Sequence, residues 1–153
     1  MVKNQEDMSM AESKYSKYVK QEWITKSVFK EVPAPQWLIS GAQHLDGYPF
    51  SAGWSCLTEP FTMVPNSHSH DYDQIIGFTG GNALDIRDFG AVVEFGLGEE
   101  EEIQVITQST FIWIPKGLPH GPLYVKEVKK PIMFIDIVMD STAGGAGDKK
   151  LTK

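Results

Sequence analysis

Asn66-Ser-His-Ser-His-Asp-Tyr-Asp-Gln-Ile-Ile-Gly-Phe-Thr-Gly-Gly81 is the stretch from which the rest of the chain is best read. His68 and His70 stand at i and i+2, so on an extended strand both side chains leave the same face. Two imidazoles side by side on a strand can take one ion with little reorganisation. Gln74 has the same parity, and its amide oxygen offers a third donor once the chain bends back into the next strand. Asp71 and Asp73 have the opposite parity and are the competing oxygen donors. Downstream, the apolar run Phe111-Ile-Trp-Ile leads into Pro115-Lys-Gly-Leu-Pro-His120. Proline and glycine hold such a turn tightly and deliver His120 in one orientation. Three neutral imidazoles plus one oxygen suit a divalent Fe, Mn, Ni, Cu or Zn ion and leave positions for water or a ligand. The expected metal set is His68, His70, Gln74 and His120, with Asp73 the alternative to Gln74.

Working outward, the chain reads as short strands between turn residues. Candidate strands cover 37–39, 53–57, 61–64, 74–78, 92–97, 103–106, 110–114, 123–125 and 132–138. Pro49, Pro60, Pro65, Gly80-Gly81, Gly98, Pro115 and Pro131 punctuate them and leave little room for long helices. Strands at this spacing imply a sandwich or a jelly-roll barrel. The expected organisation is an N-terminal extension over 1–22, one β domain over 23–140 and a disordered Gly- and Lys-rich tail over 141–153. Within the extension, Met8, Ala11, Tyr15, Tyr18 and Val19 fall at helical spacing, so a short amphipathic helix competes with an irregular terminus.

The two histidine motifs resemble those of the cupin superfamily, in particular its small single-domain members. That family's first motif runs His-x-His, three or four residues, Glu or Gln, then a Gly. Here it reads His68-Ser-His70, Gln74 and Gly80. The second, Pro-x-Gly-x-x-His, is met by Pro115-Lys-Gly117-Leu-Pro-His120. The resemblance spans roughly 50–138 and implies an all-β, double-stranded β-helix (jelly-roll) barrel around one divalent metal. Three departures stand out. Gln74 replaces the usual acid, which removes a negative charge and leaves a bound metal more electrophilic. No glycine precedes the first motif, and Gly121-Pro122 follows His120.

Composition limits the partners. The chain has 153 residues and a formal charge of -6, with 14 basic against 20 acidic side chains. That balance argues against nucleic acid, which demands a basic face. No apolar run approaches the roughly 20 residues of a membrane span. The first twenty residues lack the apolar segment of a secretory signal. A single cysteine, Cys56, fits a reducing compartment, and cytoplasm is expected.

Rival motifs fall short. The His-x-His of amidohydrolases needs a barrel of about 250 residues, and that of metallo-β-lactamase-like hydrolases needs an Asp-His pair downstream. Asp88-Phe-Gly90 reads as a turn, Cys56 as a packed strand residue, and His44 as a loop residue outside the site. Glu94 and Asp136 interrupt apolar strands and are, with Tyr124, the candidate catalytic groups. Tyr72, Trp113 and Tyr124 are candidates for an aromatic wall. Two functions are expected to compete: a metal-dependent enzyme on a small molecule (dioxygenase, isomerase, decarboxylase or lyase), and a non-catalytic module binding or sensing a small ligand through the metal. Exposed sheet edges predict a homodimer.

Overall fold

The computed structural model describes residues 14–21 and 23–141. Ten strands follow one another: β1 (Ile24–Thr25), β2 (Gln36–Ser40), β3 (Ser51–Leu57), β4 (Phe61–Val64), β5 (Gln74–Gly80), β6 (Ala91–Leu97), β7 (Glu102–Ile106), β8 (Thr110–Ile114), β9 (His120–Val128) and β10 (Ile132–Val138). Alternation makes most of them. On β6, Val93 and Phe95 are almost fully buried while Val92 and Glu94 between them are not. On β10, Ile132, Phe134 and Val138 are buried with Asp136 at the same parity.

The strands form two antiparallel sheets, ordered β1-β2-β3-β10-β5-β8 and β4-β9-β6-β7. Their inner faces meet in one core, with Leu57, Ile76, Phe78, Ile114, Ile132 and Phe134 from the first sheet and Val93, Phe95, Leu123 and Val125 from the second. Burial of such side chains contributes about 1.5–3 kcal/mol each, and this is what holds the sheets together. The result is a mostly-β, two-sheet architecture with one short helix, consistent with a cupin-like barrel.

Strands 61–64, 110–114 and 132–138 lie where expected, and the others extend by one to several residues at their ends. Three differences are larger. The His-x-His segment is not a regular strand; His68 instead forms an isolated bridge with His120. His44 ends a four-residue helix, α1 (Gly41–His44), rather than lying in a loop. Its Nδ1 accepts the Ser40 N–H at 2.9 Å and its ring lies 3.8 Å from Trp23, so it is a structural residue. Finally, β1 carries no sequence signal and forms by pairing Ile24 with Trp37. Of the N-terminal helix expectation, Met8 and Ala11 lie outside the described residues, as does the tail from 142 on. The described part makes a 3-10 turn, Ser16–Tyr18, whose residues are all exposed.

Candidate metal centre

His68 and His70 lie in irregular chain while His120 is the first residue of β9, and hydrogen bonds tie the two segments together. His68 N–H donates to the His120 carbonyl at 2.9 Å, and His120 N–H donates back at 2.8 Å. Gly117 N–H donates to the His70 carbonyl at 2.8 Å. Lys116 N–H donates to Asp73 Oδ1 at 2.9 Å. The Pro-Gly turn is thus laced to the His-x-His segment along its length. Gly121 is needed where they touch: its φ is +99°, and a Cβ there would sit 2.7 Å from the Asn66 carbonyl oxygen.

This lacing gathers His68, His70 and His120 so that their donor nitrogens lie within 4.8 Å of one another. Ring centroids are 4.4 Å apart for His68–His120, 4.8 Å for His68–His70 and 5.1 Å for His70–His120. Backbone carbonyls set the tautomers. His120 Nδ1 lies 2.9 Å from the Leu118 oxygen and His68 Nδ1 lies 3.3 Å from the Asn66 oxygen, so each Nδ1 carries the proton. The Nε2 lone pairs are left to bind. Tyr72 stacks on His70 at 4.7 Å and an interplanar angle of 9°.

The electrostatics favour the neutral form of His120 and His70. Burial pushes His120 down to about 4, with the Leu118 carbonyl opposing and repulsion from His68 and His70 adding. Burial also lowers His70, His68 adds to the effect, and Asp71 works against it. Neutral imidazole is the form that ligates metal.

Gln74 comes from the first residue of β5 and is buried. Its Nε2 donates to Asp136 Oδ1 at 2.8 Å, which leaves Oε1 buried with no protein partner. Asp136 is raised from the ordinary carboxylate range by burial, and the Gln74 amide pulls it back. The three histidines, Gln74, Asp136 and Tyr72 all line one cavity of about 440 Å³. Its remaining wall is mostly apolar, with Phe29, Leu38, Met63, Phe95 and Phe134 among it.

Buried polar atoms normally find partners. Among the described residues the buried side-chain atoms without one are Gln36 Nε2, Gln74 Oε1 and His120 Nε2. All three residues line this cavity. For His120 Nε2 and Gln74 Oε1 a divalent ion is the matching partner: both are neutral lone-pair donors, and His120 belongs to the three-histidine cluster. The donor set fits a metal on that ground.

Other candidates lie elsewhere. Asp73 is exposed and caps the Lys116 turn, so it is absent from the cavity wall. Glu94 stands on the outer face of β6, 3.5 Å from Lys126. Tyr124 is its cross-strand neighbour on the same outer face, with the Lys126 ammonium 5.8 Å from its ring. Strand alternation turns both away, because Phe95 and Leu123 take the inward positions beside them. Trp113 is likewise outward and largely exposed. Gln36 and Ser55 line the cavity and were not singled out from sequence. A signal for Gln36 existed: it shares parity with Leu38 and Ser40 in an otherwise apolar strand.

No protein-family model matches the sequence, and no curated protein matches it. Solved structures do match in fold. A deletion variant of Bacillus subtilis oxalate decarboxylase gives a TM-score of 0.53 at 12% identity, over 79% of this chain and 29% of that one. A substituted variant of the same enzyme gives 0.54 at 12% identity, over 80% and 29%. Peruvianin-I, described as a cysteine peptidase from Thevetia peruviana latex, gives 0.57 at 14% identity, over 90% and 81%. This chain spans less than a third of the oxalate decarboxylase chain. Likeness at such identity concerns the fold.

Proposed function

We propose that this protein is a cupin-superfamily enzyme that holds one divalent transition metal on His68, His70, His120 and Gln74 and acts on a small, mainly apolar molecule. The observation that carries the reading is the cluster of three histidines, with His120 Nε2 buried and unpartnered, at the wall of a mostly apolar cavity. When bound, such a metal polarises an oxygen of the substrate or takes up dioxygen. The chain's own contribution is to orient the donors through the Leu118 and Asn66 carbonyls and to keep His120 and His70 neutral. Asp136 is the acidic side chain on the cavity wall, and it is the group suited to holding or moving a proton. Its presence favours proton-transfer chemistry, as in a decarboxylase, isomerase or lyase, over a dioxygenase or other oxidoreductase.

A decarboxylase and a cysteine peptidase share this fold, so fold alone does not select the reaction. A cysteine nucleophile is disfavoured. Cys56 lies between the inward-facing Ser55 and Leu57 on β3, and its side chain therefore faces away from the histidines. The second reading, metal-dependent binding or sensing of a small ligand without turnover, draws on the same cavity. A reducing, cytoplasmic setting is part of the proposal, on the strength of the single cysteine. The acidic net charge speaks against nucleic acid as a partner. No helix among the described residues is long and apolar enough to cross a membrane.

Metal analysis of the purified protein tests the proposal. We expect close to one transition-metal ion per chain, lost in His70→Ala and His120→Ala. Unchanged metal content in both variants overturns the site. Turnover by the loaded protein on keto-acid, catechol and thiol panels, with oxygen uptake followed, then separates the enzyme reading from the binding module.

A further inference from the structure

Gln36 Nε2 is the remaining buried side-chain atom without a partner among the described residues, and a metal at the histidines does not explain it. It is the first residue of β2, it is 3% exposed, and it lines the cavity. Its amide cannot turn freely. Oε1 accepts the Val28 backbone N–H at 3.4 Å and the Ser55 hydroxyl at 3.4 Å. The Val28 N–H can only donate, so the oxygen must face it and Nε2 must face elsewhere. There Nε2 meets no acceptor from the protein.

We infer that Gln36 is a second anchoring point for the ligand: its Nε2 donates to an oxygen acceptor on the body of a small molecule whose other end engages the histidine cluster. This rests on the reading that the cavity is the ligand site. The chemistry of the wall sets the class. Gln36 offers donors and no free acceptor, so it selects carbonyl or ether oxygens over amines. It is uncharged and set among Phe29, Leu38 and Phe134, so it suits a neutral acceptor, and an anionic group belongs at the metal end. The ligand class is therefore an oxo- or ether-substituted carboxylic acid with an apolar, preferably flat, body. The inference also assigns specificity, because a site built to hydrogen-bond an oxygen rejects the analogue that lacks it.

Two probes of matched shape test this: 4-acetylbenzoate, which carries the acceptor, and 4-isopropylbenzoate, which replaces it by a methyl. Titration calorimetry with the full chain, loaded with Mn(II) or Zn(II), compares the two in the unmutated protein and in Gln36→Glu. That substitution keeps an oxygen for Val28 N–H and removes the amide donor. The expected result is about tenfold tighter binding of 4-acetylbenzoate by the unmutated protein, with the preference abolished in the variant. Equal affinities in the unmutated protein overturn the inference even if the variant does not fold. So does a preference that survives Gln36→Glu. In either of those cases metal-dependent binding of 4-isopropylbenzoate leaves the cavity reading standing. Failure of both probes to bind removes the cavity reading and the inference with it.

Discussion

His120 is where a large electrostatic effect and the ligand geometry coincide in one residue. In metal-free protein its imidazole takes a proton only near pH 4, whereas in the unfolded chain it does so near the ordinary value of about 6.5. Between these values the unfolded state binds more protons, so stability rises with pH across that window. It is complete above about 6.5, is lost progressively as pH falls towards 4, and then levels off. His70, lowered by the same burial, adds in the same direction. Metal-free protein should therefore lose roughly 2 kcal/mol between pH 7 and pH 5, read as a fall in the urea midpoint. His120→Asn should flatten that dependence. A midpoint that holds steady over this range in the unmutated protein would contradict the burial assigned to His120.

At the scale of elements, the site depends on two turns and on the strand starts that follow them, Gln74 of β5 and His120 of β9. Residues 66–73 and 115–121 are held to one another by hydrogen bonds, of which the Asp73 carboxylate to Lys116 N–H is the one made by a side chain. Its place beside Gln74 presented Asp73 as a rival ligand despite the opposite parity; its contribution in the fold is to the shape of the turn. Asp73→Ala should cost only about 1 kcal/mol in stability, since the bond is exposed. Metal affinity should fall further, by roughly tenfold, because the turn carrying His120 loosens against His70. Competition with a chelator measures this, and an affinity equal to the unmutated protein's would mean that the backbone bonds alone hold the turn. The strands were legible because alternation survives in β5, β6 and β10. β1, α1 and the bridge at His68 were not, because each forms only when a distant partner arrives.

At the scale of the whole molecule, the outer face of the six-stranded sheet stands out. One row across it runs Ile24, Trp37, Trp54, Ile135, Gly77 and Phe111, and the next runs Ile39, Ala52, Ile137, Ile75 and Trp113. Neither row contains a charged residue. Phe111 lies over Gly77, where a Cβ would meet its ring at 2.5 Å. Phe111, Trp113, Trp37 and Ile24 are 62, 67, 38 and 60% exposed and alone present roughly 500 Å² of apolar surface. That is at the upper end for a monomer. With their half-buried neighbours the face approaches the roughly 800 Å² per partner of a stable complex. We propose a second copy as the occupant: a chain of charge -6 can approach itself most closely where neither surface carries charge. Dimerisation was expected at the sheet edges; the broad face is the stronger candidate. Light scattering should give twice the chain mass, and the double substitution Phe111→Asp, Trp113→Asp should give a folded monomer. A monomer without substitution would leave the face for some other partner.

The local pattern of residues by itself determined the β class, the positions of nine of the ten described strands and the three histidines, since periodicity and motif spacing are properties of neighbours along the chain. It could not assign the carboxylates. Asp136 and Glu94 each interrupt an apolar strand in the same way, yet one lines the cavity beside Gln74 and the other pairs with Lys126 outside. Which face of a strand turns inward is set by the sheet packed against it, and only the tertiary structure supplies that. The same holds for Gln36, whose amide is oriented by the Val28 N–H and the Ser55 hydroxyl, contacts that exist only in the folded chain. Gln74 was expected in the site from its parity, and the fold adds the orientation of its amide, set by Asp136, 62 residues further on.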